Sequence, residues 1–374
     1  MPETSTTVRG AVLERIGDER PYATTRPVTV GELELGPPGP GELLVRMESA
    51  GLCHSDLSVV NGSRVRPVPM LLGHEAAGRV ERAGPGGSDL APGQRVVMTF
   101  LPRCDGCAGC RTGGLLPCEP GTASNTAGTL LGGGIRLRRA DGPVLHHMGV
   151  SGFATHAVVD RRSVVPVDDD VPPQVAALFG CAVLTGGGAV VNAGRPRPGD
   201  DVLVVGLGGV GLAAVLTAVS LGHGQVIGVD PVPAKRELAR ALGAREALSP
   251  EEAVARGATA PVVVEAAGSA PAFETAVALT APGGTTVTVG LPAPDARASI
   301  APLGITAQAR TIVGSYLGSA IPSRDIPWFV DRWREGRLPV ERLVSDTIAL
   351  EDLNRAMDAL TDGHAVRQMI RFPD

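Results

Sequence analysis

Lysine is almost absent from this chain: Lys235 is the single one among 34 basic residues, the rest being arginine. That bias reads as coding preference rather than function, and it makes the placement of Lys235 informative. Aromatic residues are also scarce, 3% of 374, and the formal net charge is −5. Without a basic stripe interleaved with aromatics, nucleic acid is not an expected partner. No uninterrupted apolar run of about 18 residues occurs, so no membrane span is expected. Residues 1–7 lack the apolar character of a secretory signal, so the expected location is cytoplasmic. Cysteine is sparse too, six in all. A disulfide framework belongs to short secreted chains and fits poorly here.

What is abundant is glycine and proline, 50 and 32 residues, together with 43% hydrophobic content. A chain of this length buries two modest cores more readily than one large one, so two turn-rich globular domains are expected. Up to about residue 180 the text is short alternating or apolar runs broken by turns, such as Glu42-Leu43-Leu44-Val45-Arg46-Met47, and reads as mostly β. From about residue 200, apolar strands alternate with helical segments, the pattern of a parallel doubly wound sheet. Residues 196–200 make a credible boundary loop, and no internal repeat is apparent.

The cysteines fall into two groups. Cys104, Cys107, Cys110 and Cys118 follow the spacing C-x-x-C-x-x-C-x7-C, which supplies the four thiolates of a closed, structural zinc site. Cys53 and Cys181 stand alone, with Gly73-His74-Glu75 between them. Cys53, His74 and Cys181 make a three-ligand set, and a catalytic zinc keeps its fourth position open. Two zinc ions per chain are therefore expected.

The second half carries a nucleotide fingerprint. A buried strand at Val202–Val205 runs into Gly206-Leu207-Gly208-Gly209-Val210-Gly211, which matches G-x-G-x-x-G, and residues 212–221 continue as an apolar helix. Glycines there permit a tight turn and close backbone approach to a pyrophosphate, which sits at the helix N-terminus. Asp230 closes the next strand, where a carboxylate accepts hydrogen bonds from the adenosine ribose and repels a 2′-phosphate. NAD(H) is the expected cofactor.

Together these segments, with Gly51-Leu52-Cys53-His54-Ser55-Asp56, Gly73-His74-Glu75-Ala76-Ala77-Gly78, Gly180-Cys181 and Val366-Arg367, resemble the two-zinc alcohol dehydrogenases of the medium-chain dehydrogenase/reductase superfamily. The resemblance runs from about residue 30 to the C-terminus. It implies an α/β fold: a GroES-like, mostly-β catalytic domain over 1–182 and 318–374 holding both zinc sites, and a Rossmann NAD-binding domain over 183–317. It also implies an oxidoreductase moving hydride between NAD(H) and a primary alcohol or aldehyde.

Carried over residue by residue, the resemblance makes Ser55 the hydroxyl that takes the alcohol proton, Asp56 the carboxylate that orients His74, and Glu75 a group behind the metal. His54 and Arg367 would meet the pyrophosphate, and Lys235 the adenosine ribose beside Gly206, Gly208, Gly209, Val210 and Gly211. Leu57, Phe100, Ala123, Met148 and Leu317 would line an apolar channel suited to a hydrophobic or aromatic substrate body. His146, His147, His156, His223 and His364 read as surface or packing residues. Residues 119–152 resemble a loop of the dimeric members, and a homodimer is expected.

The chain departs from that family at three places. Ser58 stands where many relatives end a proton relay with histidine, and a serine hydroxyl is no base near neutrality. Ser63-Arg64-Val65-Arg66 replaces the acidic residues of the glutathione-adduct enzymes and argues against glutathione. Residues 249–259 are short and predict a clipped helix. Two other functions stay in view: a biosynthetic reductase acting on an imine or conjugated alkene, and a non-enzymatic binding protein on the same fold. Intact ligand and glycine sets, with Ser55 present, weigh against both.

Overall fold

A computed structural model describes residues 5–373. They form two compact units, one running to Cys181 and resuming at Val344, the other Ala182–Leu343.

In the first unit, Thr6–Leu13, Val28–Leu35, Leu137–Arg139, Gly142–His146 and Met70–Leu71 close into a barrel. Side chains alternate across a strand, and the inward set, Val8, Val12, Leu33, Leu35, Leu71 and Val144, makes its core. The companion sheet runs Val164–Pro166, Arg95–Met98, Ala76–Ala83, Glu42–Leu52, Arg367–Arg371, Val344–Ile348, with His156–Asp160 also paired to Glu42–Leu52. The late strand Arg367–Arg371 lies antiparallel to the early one, with Gln368 opposite Leu52. Residues more than 300 positions apart in sequence are thereby brought beside Cys53.

His146 is fully buried in this unit, where its Nε2 accepts the backbone N–H of Arg136 at 3.0 Å. Burial, with the Arg136 charge, pushes its pKa down to about 3. The unfolded chain protonates this ring near 6.5 while the folded one refuses the proton, so the contribution is complete above 6.5 and is lost as pH falls. Between pH 7.5 and 5 the wild type should lose roughly 2 kcal/mol through this residue. His146→Gln, which keeps an acceptor and cannot titrate, should show a correspondingly flatter dependence. Denaturant melts of both proteins at the two pH values check this, and parallel slopes would contradict it.

The second unit is a six-stranded parallel sheet in the order Glu246–Leu248, Val226–Val229, Val202–Val205, Ala260–Glu265, Thr280–Thr288, Thr311–Gly314. Its first strand in sequence is central, so the winding reverses beside it, and a crevice opens there at the strands' C-terminal ends. Leu203, Val205, Val229, Leu248, Val263, Ala276 and Leu279 form the core. Helix Gly209–Leu221 is apolar nearly all round and correspondingly buried. A six-residue helix, Pro250–Ala255, occupies the short segment, started by a reciprocal cap between Ser249 and Glu252. The sequence places the return to the catalytic domain at 318, whereas residues 318–343 pack within this unit. There Asn192 donates to Asp325 at 3.2 Å, and a Cβ on Gly187 would lie 2.6 Å from the Phe329 ring.

A continuous helical run, Pro173–Gly194, crosses the boundary between the units in sequence. It is the one described helix long and apolar enough to cross a membrane, and 83% of it is buried inside the protein, as befits a core helix.

Candidate functional site

Helix His54–Val60 begins at Cys53, and Asp56 caps it: the Cys53 N–H donates to Asp56 Oδ2 at 3.0 Å. A carboxylate in the first turn is favoured by the helix dipole. The other oxygen, Oδ1, accepts from His74 Nδ1 at 2.9 Å, with both side chains fully buried. That bond fixes the His74 tautomer and leaves Nε2 free to coordinate. His74 follows Gly73, whose φ of +92° and tight approach to Phe153, 2.5 Å from any Cβ, exclude other residues. Cys181 sits on a π-helical turn, Phe179–Val183, a local widening common at functional sites. The preceding Gly180 lets that turn close onto the strand Arg95–Met98, since a Cβ there would be 2.1 Å from the Met98 carbonyl oxygen.

The ligand atoms of Cys53, His74 and Cys181 all lie within 4.8 Å of one another, and Cys181 Sγ is 3.4 Å from His74 Nε2. A tetrahedral zinc with bonds of about 2.0–2.3 Å separates such atoms by roughly 3.5 Å, so the donor set fits the ion in chemistry and span. Behind it, Arg367 Nε is 3.2 Å from Glu75 Oε1 and Arg367 Nη1 donates to the Leu52 carbonyl at 3.4 Å, both side chains buried. Gly51 leaves the room: its Cβ would meet Glu75 Oε1 at 2.2 Å.

Electrostatics sharpen this picture. Burial alone would raise Asp56, but the His74 charge and hydrogen bond, with the His147 ring close by, hold it at about 2. Burial would likewise depress His74, and Asp56 and Cys53 outweigh it, pushing the ring to about 10. Cys53 is drawn well below a free thiol by the Cys181 thiol and, against burial, by Arg367 and His74, while its neighbour Cys181 is pushed up. Zinc uptake therefore displaces protons, so its affinity falls as the pH is lowered.

Cys104, Cys107, Cys110 and Cys118 form the second cluster, their sulfurs all within 4.8 Å of one another. Cys104 and Cys110 are 3.9 Å apart, close to the roughly 3.8 Å between sulfurs on one zinc. Arg103 braces the loop by donating to the carbonyls of Leu116 and Gly114 at 2.8 and 3.3 Å. Backbone N–H groups of Glu119 and Cys110 pull Cys107 down to about 6, whereas burial pushes Cys118 up to about 12.

In the nucleotide unit, Gly206 adopts φ +91° with the Ala267 amide 2.6 Å from where its Cβ would be, so the turns after two adjacent strands nearly touch. Gly211 packs on the Gly206 carbonyl, and nothing lies within 4 Å of a Cβ on Gly208, which leaves that backbone open to a ligand. Asp230 accepts from the N–H of Leu207 and of Val232, each at 2.8 Å. It thus holds the glycine turn. Lys235 is half-buried on the following helix.

Ser55 is half-exposed on the Asp56 helix, and its hydroxyl makes no hydrogen bond to described residues; Ser58 Oγ donates to the His54 carbonyl at 2.7 Å. His54 is exposed at the helix start. Leu57, Phe100 and Met148 are buried, and the Phe100 ring meets His74 edge-on at 5.6 Å. Ala123 lies instead on an exposed helix face, in an open groove of about 630 Å³ with Pro117, Glu119 and Thr126, while Leu317 is buried in the other unit. His147, which the sequence presents as a surface or packing residue, is fully buried with its Nδ1 3.2 Å from Asp56 Oδ1, a place beside the site that its sequence context does not signal.

Comparison with known proteins agrees with this geometry. Residues 39–169 match the alcohol dehydrogenase GroES-like domain, and residues 209–334 match the zinc-binding dehydrogenase domain. Alcohol dehydrogenase B of Mycobacterium tuberculosis is 36% identical over 93% of this chain and 96% of its own length. Geraniol dehydrogenase of Castellaniella defragrans is 35% identical over 97% of both chains. The crystal structure of benzyl alcohol dehydrogenase from Acinetobacter calcoaceticus superposes with a TM-score of 0.89 at 28% identity, covering 98% of this chain and all of that one.

Proposed function

Because the chain belongs to the zinc-dependent alcohol dehydrogenase family of the medium-chain dehydrogenase/reductase superfamily, we propose that it interconverts primary alcohols of hydrophobic or aromatic body with their aldehydes, using NAD(H). The observation that carries this reading is the convergence of Cys53, His74 and Cys181 close in sequence to Ser55, a half-exposed serine whose hydroxyl has no hydrogen-bond partner among the described residues. Bound there, zinc supplies a Lewis acid that acidifies an alcohol or polarises a carbonyl, and NAD(H) supplies the hydride acceptor or donor.

The chain's own residues do the rest. Ser55 accepts the alcohol proton and passes its own to water, so that the carbon can release hydride. Asp56 holds the His74 ring in register, and Arg367 compensates the buried charge of Glu75 behind it. Leu57, Phe100 and Met148 wall the reacting carbon from water. Apolar substrates named for relatives, geraniol and benzyl alcohol, accord with such a wall. On the cofactor side, Gly206 to Gly211 receive the pyrophosphate, and Lys235 joins Asp230 at the ribose. A homodimer is supported by the edge strand Thr311–Gly314, which pairs on one side only among the described residues and carries the exposed Ile312.

Asp230 sets the cofactor. With two of its lone pairs on Leu207 and Val232, the remaining ones face the ribose hydroxyls, and its charge repels a 2′-phosphate. NADH should be used far more efficiently than NADPH. Asp230→Ala should narrow that gap mainly by weakening NADH, because the glycine turn loses an acceptor as well. Steady-state kinetics with a panel of aldehydes and both cofactors test substrate class and cofactor together. Wild-type efficiency with NADPH equal to that with NADH would remove Asp230 from the ribose.

A further inference from the structure

His147 is fully buried, yet neither of its ring nitrogens has a well-directed hydrogen bond. Its nearest charged neighbour is Asp56, 3.2 Å from Nδ1 and off the ideal line of an N–H, so the contact is chiefly that of a bond dipole against a carboxylate. The same oxygen takes the His74 bond, and the two imidazoles meet edge-to-face at 5.5 Å. Asp56 Oδ1 is therefore shared between the metal-facing histidine and a second one.

The backbone shows that this placement is built. The loop that carries His147 is stitched to the segment leading into His74: the N–H of His147 donates to Leu71 at 3.2 Å, that of Gly152 to Gly73 at 2.9 Å, and that of Phe153 to Leu72 at 3.0 Å. The His147 N–H also meets Ser151 Oγ at 3.1 Å. Within the loop, Met148 and Ser151 hold left-handed conformations, φ +51° and +53°, which are strained for residues that carry a side chain. Such strain persists where surrounding structure over-determines it, and here it holds His147 against Asp56. A histidine ring carries at least one N–H in either protonation state, and Nδ1 is the nitrogen beside the carboxylate.

We propose that His147 is a positioning residue of the Cys53–His74–Cys181 centre: its Nδ1–H anchors Asp56 and, through it, sets the orientation and donor strength of His74. The inference rests on the reading of those three residues as the catalytic zinc ligands. An outer partner of this kind acts on the metal before it acts on turnover, because losing the support of a ligand typically weakens metal affinity about 10–100-fold.

The test is a pair of near-isosteric variants. His147→Asn keeps an N–H close to the Nδ1 position, and His147→Leu removes it, with His147→Phe as the donor-free alternative should leucine not fold. Zinc is titrated out of each purified protein with a chromogenic chelator, and the same proteins are reconstituted with cobalt for visible absorption spectra. The leucine or phenylalanine variant should release one of its two zincs at least tenfold more readily and shift its cobalt bands. It should also lower kcat with KM for NAD unchanged. Asparagine should restore all three. Unaltered zinc release and cobalt bands in the donor-free variant, or equal impairment with asparagine, would overturn the proposal. Cys53→Ser separates the two levels: if it too keeps both zincs, the ligand reading itself fails, whereas loss of one zinc there with none lost at His147 refutes only the role of the histidine.

Discussion

Cys53→Ser should abolish alcohol oxidation, by at least about three orders of magnitude, while the protein still folds and still carries one zinc. A serine hydroxyl has nearly the shape of the thiol but is not a thiolate near neutrality. Serine can also keep both halves of the reciprocal cap at the helix start, where the Cys53 side chain accepts the Asp56 N–H and the Asp56 carboxylate accepts the Cys53 N–H. Cys104→Ser should behave in the opposite way. The lobe around it is half-exposed and has few apolar residues of its own, so its order depends on the ion, and structural zinc binding is itself folding free energy, worth several kcal/mol or more at about neutral pH. Early melting and loss of soluble protein are expected there. Metal analysis, circular dichroism and turnover on the three proteins decide it. Wild-type protein carrying one zinc or none when prepared without chelators would sink the two-site reading.

Ser55→Ala should reduce alcohol oxidation by about 10²–10⁴-fold, the range for losing a positioned proton-transfer group, with little change in NADH affinity. Its neighbour one turn on behaves differently. Ser58 already donates to the His54 carbonyl, and a hydroxyl does not titrate near neutrality. Ser58→His should place a group of pKa about 6.5 on that half-exposed face. Oxidation near pH 7 should then accelerate, and the pH–rate profile should gain an inflection. A deuterated alcohol shows whether hydride transfer limits each rate. Full activity in Ser55→Ala would take the serine out of the mechanism and favour reduction of an imine or conjugated alkene instead.

The parts of this site legible in the sequence are those whose information is local. Four cysteines within 15 positions announce a metal because spacing alone constrains their sulfurs, and the strand, glycine turn and helix of the nucleotide unit are contiguous text. Fold class followed from hydrophobic periodicity for the same reason. What stayed hidden depends on pairings between distant segments. His147 lies in a loop with no periodic signal, and its meeting with Asp56 comes from hydrogen bonds to the strand end before His74. The packing of residues 318–343 within the nucleotide unit depends on small residues such as Gly187 admitting Phe329, which no propensity shows. Asp230 stands out in the sequence as a carboxylate closing a strand, but not as the acceptor that holds the Leu207 amide, because the backbone N–H it satisfies is common to every residue type.

The π-helical turn at Phe179–Val183 makes the reading frame of one helix a determinant of chemistry. A π turn carries an additional residue relative to an α turn, so deleting Phe179 or Gly180 would let the segment rewind as an ordinary α-helix. Cys181 would then arrive one position early, turned by about 100° around the helix axis, with its thiol on a different face. The helix would survive such a deletion in length and hydrophobicity, and only its angular phase would be wrong. Insertions and deletions there would displace the third ligand while leaving the cysteine itself in the sequence, and Gly180 beside it has no room for a side chain against the Met98 carbonyl.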